Sequence, residues 1–218
     1  VTNGVGLQDM SAFAKCIISG PGARAWLDSI FANRIPKQRG RIALCHLLTT
    51  KGGVRAEFTL YESAPDTFYL VSAGALERHD HDTLKKLLPK DGSVRFTPIT
   101  TAYGVLVLAG PQAREVLQSL TDTDMSNAAF PWLTGQRISV GAVHCDVLRV
   151  NFIGELGYEF HHPIEMQNYL FDLLMKAGAK FGIKPFGIRA MMSMAIEKSY
   201  RLVGRELSIE YSAFESGL

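Results

Sequence analysis

The sequence predicts an α+β fold with an internal duplication, and three observations carry that expectation. Apolar stretches of strand length alternate with short amphipathic helices along the whole chain. A Gly-Pro turn that opens a helix occurs twice, at Gly20-Pro21-Gly22-Ala23-Arg24 and at Gly110-Pro111-Gln112-Ala113-Arg114. The composition is that of an ordinary globular protein, with 218 residues, 47% hydrophobic and 20% charged. That is chain enough for a large core, in one domain or two subdomains.

Residues 15–19 read as an apolar strand that runs into the first Gly-Pro turn. Residues 23–31 follow as a helix, with Ala23, Trp26, Leu27 and Ile30 on one face. Residues 42–48 and 54–61 read as two strands joined by a turn at Thr50-Lys51-Gly52-Gly53. Residues 68–72 form another strand, and 77–88 a helix with Leu84, Leu87 and Leu88 facing the core, stopped by Pro89. The second half begins the same way, with a strand at 105–109 and a helix at 113–120 that turns Val116, Leu117 and Leu120 inward. Strands are expected at 137–140, 144–151 and 158–161, and helices at 167–181 and 190–198.

The duplication has a second echo. Gly52-Gly53-Val54-Arg55-Ala56-Glu57-Phe58 matches Gly154-Glu155-Leu156-Gly157-Tyr158-Glu159-Phe160, a glycine turn feeding a strand with Glu-Phe at the same spacing. Proline in a first turn is common helix-start chemistry, so chance remains an alternative for the first echo. The parallel divides the chain into a first half at 1–98 and a second at 99–218.

With 23 Lys+Arg against 21 Asp+Glu the net charge is +2, which gives no electrostatic reason to bind nucleic acid or an acidic membrane. No apolar run is long enough to cross a bilayer. Val1 is not a native start, so a segment is expected to precede it. Cys16, Cys45 and Cys145 are odd in number and widely spaced, which argues against a disulfide framework or a zinc site. Phosphate-binding glycine motifs and a nucleophile elbow are lacking.

Glu57 and Glu159 stand out among the polar residues. Each sits early in a strand after a glycine turn, beside an aromatic residue. If the two positions match in a duplicated fold, both carboxylates are expected to line one central cavity. A carboxylate accepts two parallel N–H groups from an amino-pyrimidinone edge while aromatic rings cover the heterocycle. A second carboxylate serves as general base or stabilises a cationic intermediate. A strand glutamate also commonly points at solvent, and spacing alone leaves both readings open. His79-Asp80-His81-Asp82 reads as a solvated helix start, where the two histidines diverge, and not as a metal cluster. His46 and His144 each stand alone and read as structural.

The stretches GVGLQDMSAFAKCIISGPGARAWLD, GRIALCHLLTTKGGVRAEFTLY and NFIGELGYEFHHP resemble the folate-binding aminomethyltransferase family, that of the glycine-cleavage T-protein. Ala56-Glu57, the run ERHD at Glu77 and the closing YSAFESGL are most similar to the folate domain of dimethylglycine and sarcosine dehydrogenases. The resemblance implies a cloverleaf-like α+β fold binding tetrahydrofolate, without the family's C-terminal barrel in this chain. It implies one-carbon transfer that yields 5,10-methylenetetrahydrofolate from a methylated-amine donor, in a bacterial cytoplasm or a mitochondrial matrix.

By position, Glu159 corresponds to the glutamate that grips the pterin edge, with Tyr158, Phe160 and His161 along the same strand and Phe152 covering the pterin. Glu57 corresponds to the catalytic acid near the folate nitrogen, with Phe58 and Thr59 beside it. FAD is expected only if a dehydrogenase domain lies upstream, and a lipoylated carrier protein only for a T-protein-like enzyme. A non-catalytic folate protein of the iron–sulfur assembly type is the third reading; the family's Lys-Gly-Cys-Tyr motif is replaced here by Lys198-Ser199-Tyr200-Arg201. Ala195 stands where relatives often carry arginine, and Glu57 where the T-protein branch has aspartate. The chain looks like part of something longer.

Overall fold

A computed structural model describes all 218 residues, Val1–Leu218. In chain order the elements are β1 (Gly6–Asp9), β2 (Ala14–Ser19), α1 (Ala23–Ile30), β3 (Ile42–Leu48), β4 (Val54–Ala64), β5 (Thr67–Ser72) and α2 (Glu77–Leu87). There follow β6 (Arg95–Pro98), β7 (Tyr103–Ala109), α3 (Ala113–Gln118), β8 (Gly135–Val140), β9 (Val143–Leu148) and β10 (Gly157–Pro163). The chain continues through α4 (Gln167–Gly178), β11 (Lys184–Pro185) and α5 (Ile188–Glu197). The fold is α+β, as the sequence predicts. The strands that sequence reading missed, β1, β6 and β11, are short.

Two compact units result, Phe13–Thr100 with Arg201–Leu218, and Val1–Ala12 with Thr101–Tyr200. The chain ends therefore differ from the single division at 98/99. β1 pairs antiparallel with β7 and so joins the second repeat's sheet. The last residues join the first repeat's unit, where the Val54 amide donates to the Ser208 carbonyl at 2.9 Å and Gly53 bridges Ser212.

The first repeat's sheet has the order β3-β4-β5-β2-β6, and the second's, from its β8 edge, β8-β9-β10-β7-β1-β11. β2 and β7 thus occupy equivalent places and both lead into a Gly-Pro turn and a helix, so the first echo is a true structural repeat. The offset is 90 positions: Gly20 recurs as Gly110, the 3₁₀ turn at Gly74–Leu76 as Ile164–Met166, and α2 from Glu77 as α4 from Gln167. The pairing registers agree, since Ile17 faces Tyr69 in one sheet and Val107 faces Glu159 in the other. Gly20 and Gly110 have φ of +119° and +125°, and a Cβ on Gly110 would lie 2.2 Å from the Gly4 carbonyl oxygen. Only glycine fits that turn.

The second echo is local only. Glu57 lies on β4, the second strand from its sheet edge, whereas Glu159 lies on β10, the third. The counterpart of Glu159, 90 positions earlier, is Tyr69 on β5. The two glutamates are therefore not duplicates of each other, contrary to the expectation from the glycine-turn match.

In each unit two helices cover one face of the sheet. Ala23, Trp26, Leu27 and Leu84 of α1 and α2 pack on Cys16, Ile18, Ala56, Phe58, Leu60, Phe68 and Leu70. Val116, Leu117, Leu170 and Leu174 of α3 and α4 pack on Leu106, Leu108, Val147, Tyr158 and Phe160. Leu87 departs from its expected inward place and is 43% exposed, because Leu84 and Leu88 take the inward stripe. The Leu87 carbonyl instead accepts the Trp26 indole N–H at 2.8 Å.

Because side chains alternate across a strand, Phe58 points into this core while Glu57 points away from it. Its ring centroid lies 5.5 Å from that of Phe31. Phe58→Ala is expected to cost about 3–5 kcal/mol in urea unfolding; a loss below about 1 kcal/mol would mean that the ring does not belong to the core.

Candidate functional site

In the first repeat's unit, the hairpin of β3 and β4 sets Glu57. Register places His46 directly opposite it, Leu44 opposite Thr59 and Ile42 opposite Tyr61. The His46 backbone turns away from β4: its N–H donates to Asn33 Oδ1 at 2.8 Å, and its carbonyl accepts the Ala32 N–H at 2.9 Å. The two residues thus form a non-hydrogen-bonded cross-strand pair, the kind in which side chains come closest. His46 Nε2 donates to Glu57 Oε2 at 2.9 Å. His46 is buried and Glu57 half-buried, so the pair is partly shielded from water. Thr59, half-buried, follows Glu57 on the same face. His46 is the residue that sequence reading set aside as structural; the hairpin turn at residues 50–53 was the signal that could have paired it with Glu57.

In the second repeat's unit, a compact loop delivers Glu159. Asn151 Oδ1 accepts the N–H groups of Ile153 at 2.9 Å and Gly154 at 3.2 Å, and its Nδ2 donates to the Glu155 carbonyl. This is an Asx-type turn. Gly154 has φ +73°, a left-handed conformation that favours glycine, and the Lys198 side chain packs close over it. Phe152, half-buried at the tip, has its ring centroid 5.7 Å from that of Tyr200. The Gly110 N–H donates to the Leu156 carbonyl at 2.8 Å and ties the loop to the end of β7.

β10 then alternates. Tyr158 and Phe160 enter the helix-covered core, whereas Glu159 and His161 lie on the opposite face. Glu159 is 8% exposed and His161 1%. His161 Nε2 stands 3.3 Å from Glu159 Oε2, and no other hydrogen bond reaches that carboxylate. The register extends this polar face: Gln8 and Val107 align with Glu159, and Asp146 and Arg137 align with His161. Burial pushes the Asp146 carboxyl above its ordinary range, against the pull of Arg137 and His161.

The expected site residues therefore separate by face. Glu57 with Thr59, and Glu159 with His161, occupy the sheet faces that the helices leave free. Phe58, Tyr158 and Phe160 support those strands from the core and do not stand beside the carboxylates.

At the start of α2, Asp80 and His81 are buried, a correction to the solvated reading. Asp80 accepts hydrogen bonds from His79 and Ser72. The cysteines are free and buried, and burial pushes their thiols up to about 12, which leaves them inert as nucleophiles. No helix is long and apolar enough to cross a membrane.

The family model of the GCVT N-terminal domain matches residues 1–218. The chain belongs to that family. The chain resembles the mitochondrial dimethylglycine dehydrogenase of Homo sapiens at 38% identity over 215 residues, 98% of this chain and 25% of that protein. It resembles an aminomethyltransferase of Thermoanaerobacter sp. (strain X514) at 29% identity, over 100% of this chain and 59% of that protein. The glycine cleavage system aminomethyltransferase T from Bartonella henselae shares the fold with a TM-score of 0.83 at 22% identity, covering 97% of this chain and 55% of that one. The resemblance carried by the three quoted sequence stretches thus holds. The chain spans about a quarter of the length of the dimethylglycine dehydrogenases it matches.

On the core side of β10, His162 is fully buried, with Nδ1 donating to the Phe160 carbonyl at 2.9 Å and Nε2 paired with the Gln167 side-chain amide at 2.7 Å. Burial holds its imidazole below the ordinary histidine value, although those bonds and Asp9 act the other way and His161 adds to the lowering. The unfolded chain therefore binds the proton more readily. Stability attributable to His162 is present above about pH 6.5 and is lost as pH falls below it. Urea unfolding at pH 7.5 and 5.5 checks this: His162→Gln is expected to flatten the decline, whereas an unchanged slope would assign it to other groups such as His81.

Proposed function

We propose that this GCVT N-terminal domain is the tetrahydrofolate-dependent one-carbon-transfer part of an enzyme acting on an N-methylated glycine, of the dimethylglycine or sarcosine dehydrogenase kind. The observation that carries the reading is Glu159: a nearly buried carboxylate with no cationic Lys or Arg partner, one oxygen free, delivered by the loop motif of the family. A buried carboxylate of this kind is costly unless something donates to it. Two parallel N–H donors of a pterin edge meet that need. His161 occupies Oε2 from its own strand and leaves Oε1 for the ligand.

The residues present fit a reduced folate, which when bound supplies the amine that takes up the one-carbon unit. Glu159 binds and orients the heterocycle, and Phe152 supplies an aromatic face. Glu57 serves the one-carbon centre, stabilising positive charge on the transferred carbon and holding the proton that moves as the donor amine is released. Catalysis is then a matter of positioning and electrostatics, without a covalent bond to the protein. Higher identity to dimethylglycine dehydrogenase than to aminomethyltransferase favours donor oxidation by another part of the same enzyme over a lipoylated carrier.

A calorimetric titration with 5-formyltetrahydrofolate tests the assignment. Glu159→Ala is expected to abolish binding, and Glu57→Ala to keep it while slowing one-carbon transfer. Equal binding by wild type and Glu159→Ala would overturn the role of Glu159.

A further inference from the structure

We propose that His46 is a positioning residue for Glu57, holding its carboxylate in the orientation from which it serves one-carbon transfer. The inference rests on the reading of Glu57 given above and adds to it a residue that lies on a different strand. Four features of the hairpin carry it.

Register sets His46 directly opposite Glu57, in the close type of cross-strand pair. The Nε2–Oε2 distance is 2.9 Å, and the Glu57 carboxylate makes no other hydrogen bond. His46 is itself fixed, since its backbone N–H and carbonyl are held by Asn33 and Ala32 in the segment after α1. The neighbours on the same face, Leu44 along β3 and Thr59 along β4, bring no charge that would compete for the carboxylate, and Arg55 is exposed.

A glutamate has three rotatable side-chain bonds, and confining it to one orientation is entropically costly. An imidazole anchored on the adjacent strand removes most of that freedom in advance. Catalytic geometry is sensitive to such support, because displacements near 1 Å can cost about 100-fold in rate. By contrast, His161 shares a strand with Glu159 and approaches it only to 3.3 Å, a weaker constraint suited to a carboxylate that must adapt to a ligand.

The test uses the full-length protein, tetrahydrofolate, and whichever of dimethylglycine and sarcosine the wild type turns over, with single-turnover one-carbon transfer as the readout. His46→Ala is expected to slow transfer by about 10- to 100-fold while 5-formyltetrahydrofolate affinity stays as in the wild type. His46→Gln, whose amide N–H reaches toward the same oxygen, is expected to recover most of the rate, and it keeps the test decisive if His46→Ala does not fold. In a Glu57→Ala background, His46→Ala is expected to have no further effect, because a residue that acts through Glu57 has nothing left to position.

A wild-type rate in His46→Ala, or the same fold-loss with and without Glu57, would overturn the proposal. Wild-type transfer by the Glu57→Ala single variant would instead remove the reading of Glu57, and His46 with it; that variant alone distinguishes the two failures.

Discussion

Each sheet has one face committed to two helices, and this commitment decides where every polar group on its strands can go. Apolar side chains at alternate positions of β2, β4 and β5, and of β7, β9 and β10, are fixed by burial against helix stripes. A slip of one residue would drive Glu57 or Glu159 into packed hydrocarbon and expose Phe58 or Phe160. The register is therefore held by the core, and the carboxylates are displayed on the opposite face as a consequence. Phe58, Tyr158 and Phe160 secure that display from behind.

The same constraint explains how far a duplication can carry chemistry. The repeat preserves strand order, the Gly-Pro helix start and the 3₁₀ turn before the second helix of each unit at a constant offset. Arg24 and Arg114 are also kept, each near the second residue of equivalent strands, β5 and β10: Arg24 lies over the Phe68 ring, and Arg114 acts electrostatically on Tyr158. The acidic groups are not kept. Glu159 has Tyr69 as its counterpart, and Glu57 sits one strand nearer its sheet edge. The repeat supplies two similar scaffolds whose carboxylates stand at non-equivalent positions. Two acids with different neighbours fit the two different tasks proposed for them better than a symmetric pair.

Much of this was legible in the sequence. Helices and long strands show through their 3.6- and 2-residue periods, and the glycine turns mark where they begin. The missed strands, β1, β6 and β11, are too short for alternation to register, and they form because a neighbouring strand offers a ladder of backbone groups. Glu57 and Glu159 were singled out by their context after glycine turns, and both lie on the helix-free faces of their sheets. Phe58, Tyr158 and Phe160 were misplaced by adjacency, since neighbours along a strand face opposite ways. His46 was missed for the converse reason: it is eleven positions from Glu57 in the chain yet directly opposite it once the hairpin closes.

The two histidine–carboxylate pairs show how backbone geometry grades rigidity. An opposite pair on adjacent strands is locked by two independent backbones and by the turn that joins them, so the imidazole and the carboxylate cannot drift together. A pair two residues apart on one strand shares a single backbone, and its hydrogen bond lengthens without any ladder breaking. The 2.9 Å and 3.3 Å separations follow that order. In the proposed reading, Glu159 recognises the ligand and tolerates the looser arrangement, because a ligand with two N–H donors completes the geometry itself. A carboxylate that must meet a developing positive charge has no such help, since the charge exists only in passing. It has to be in place beforehand, and the cross-strand pair is the arrangement in this fold that can keep it there.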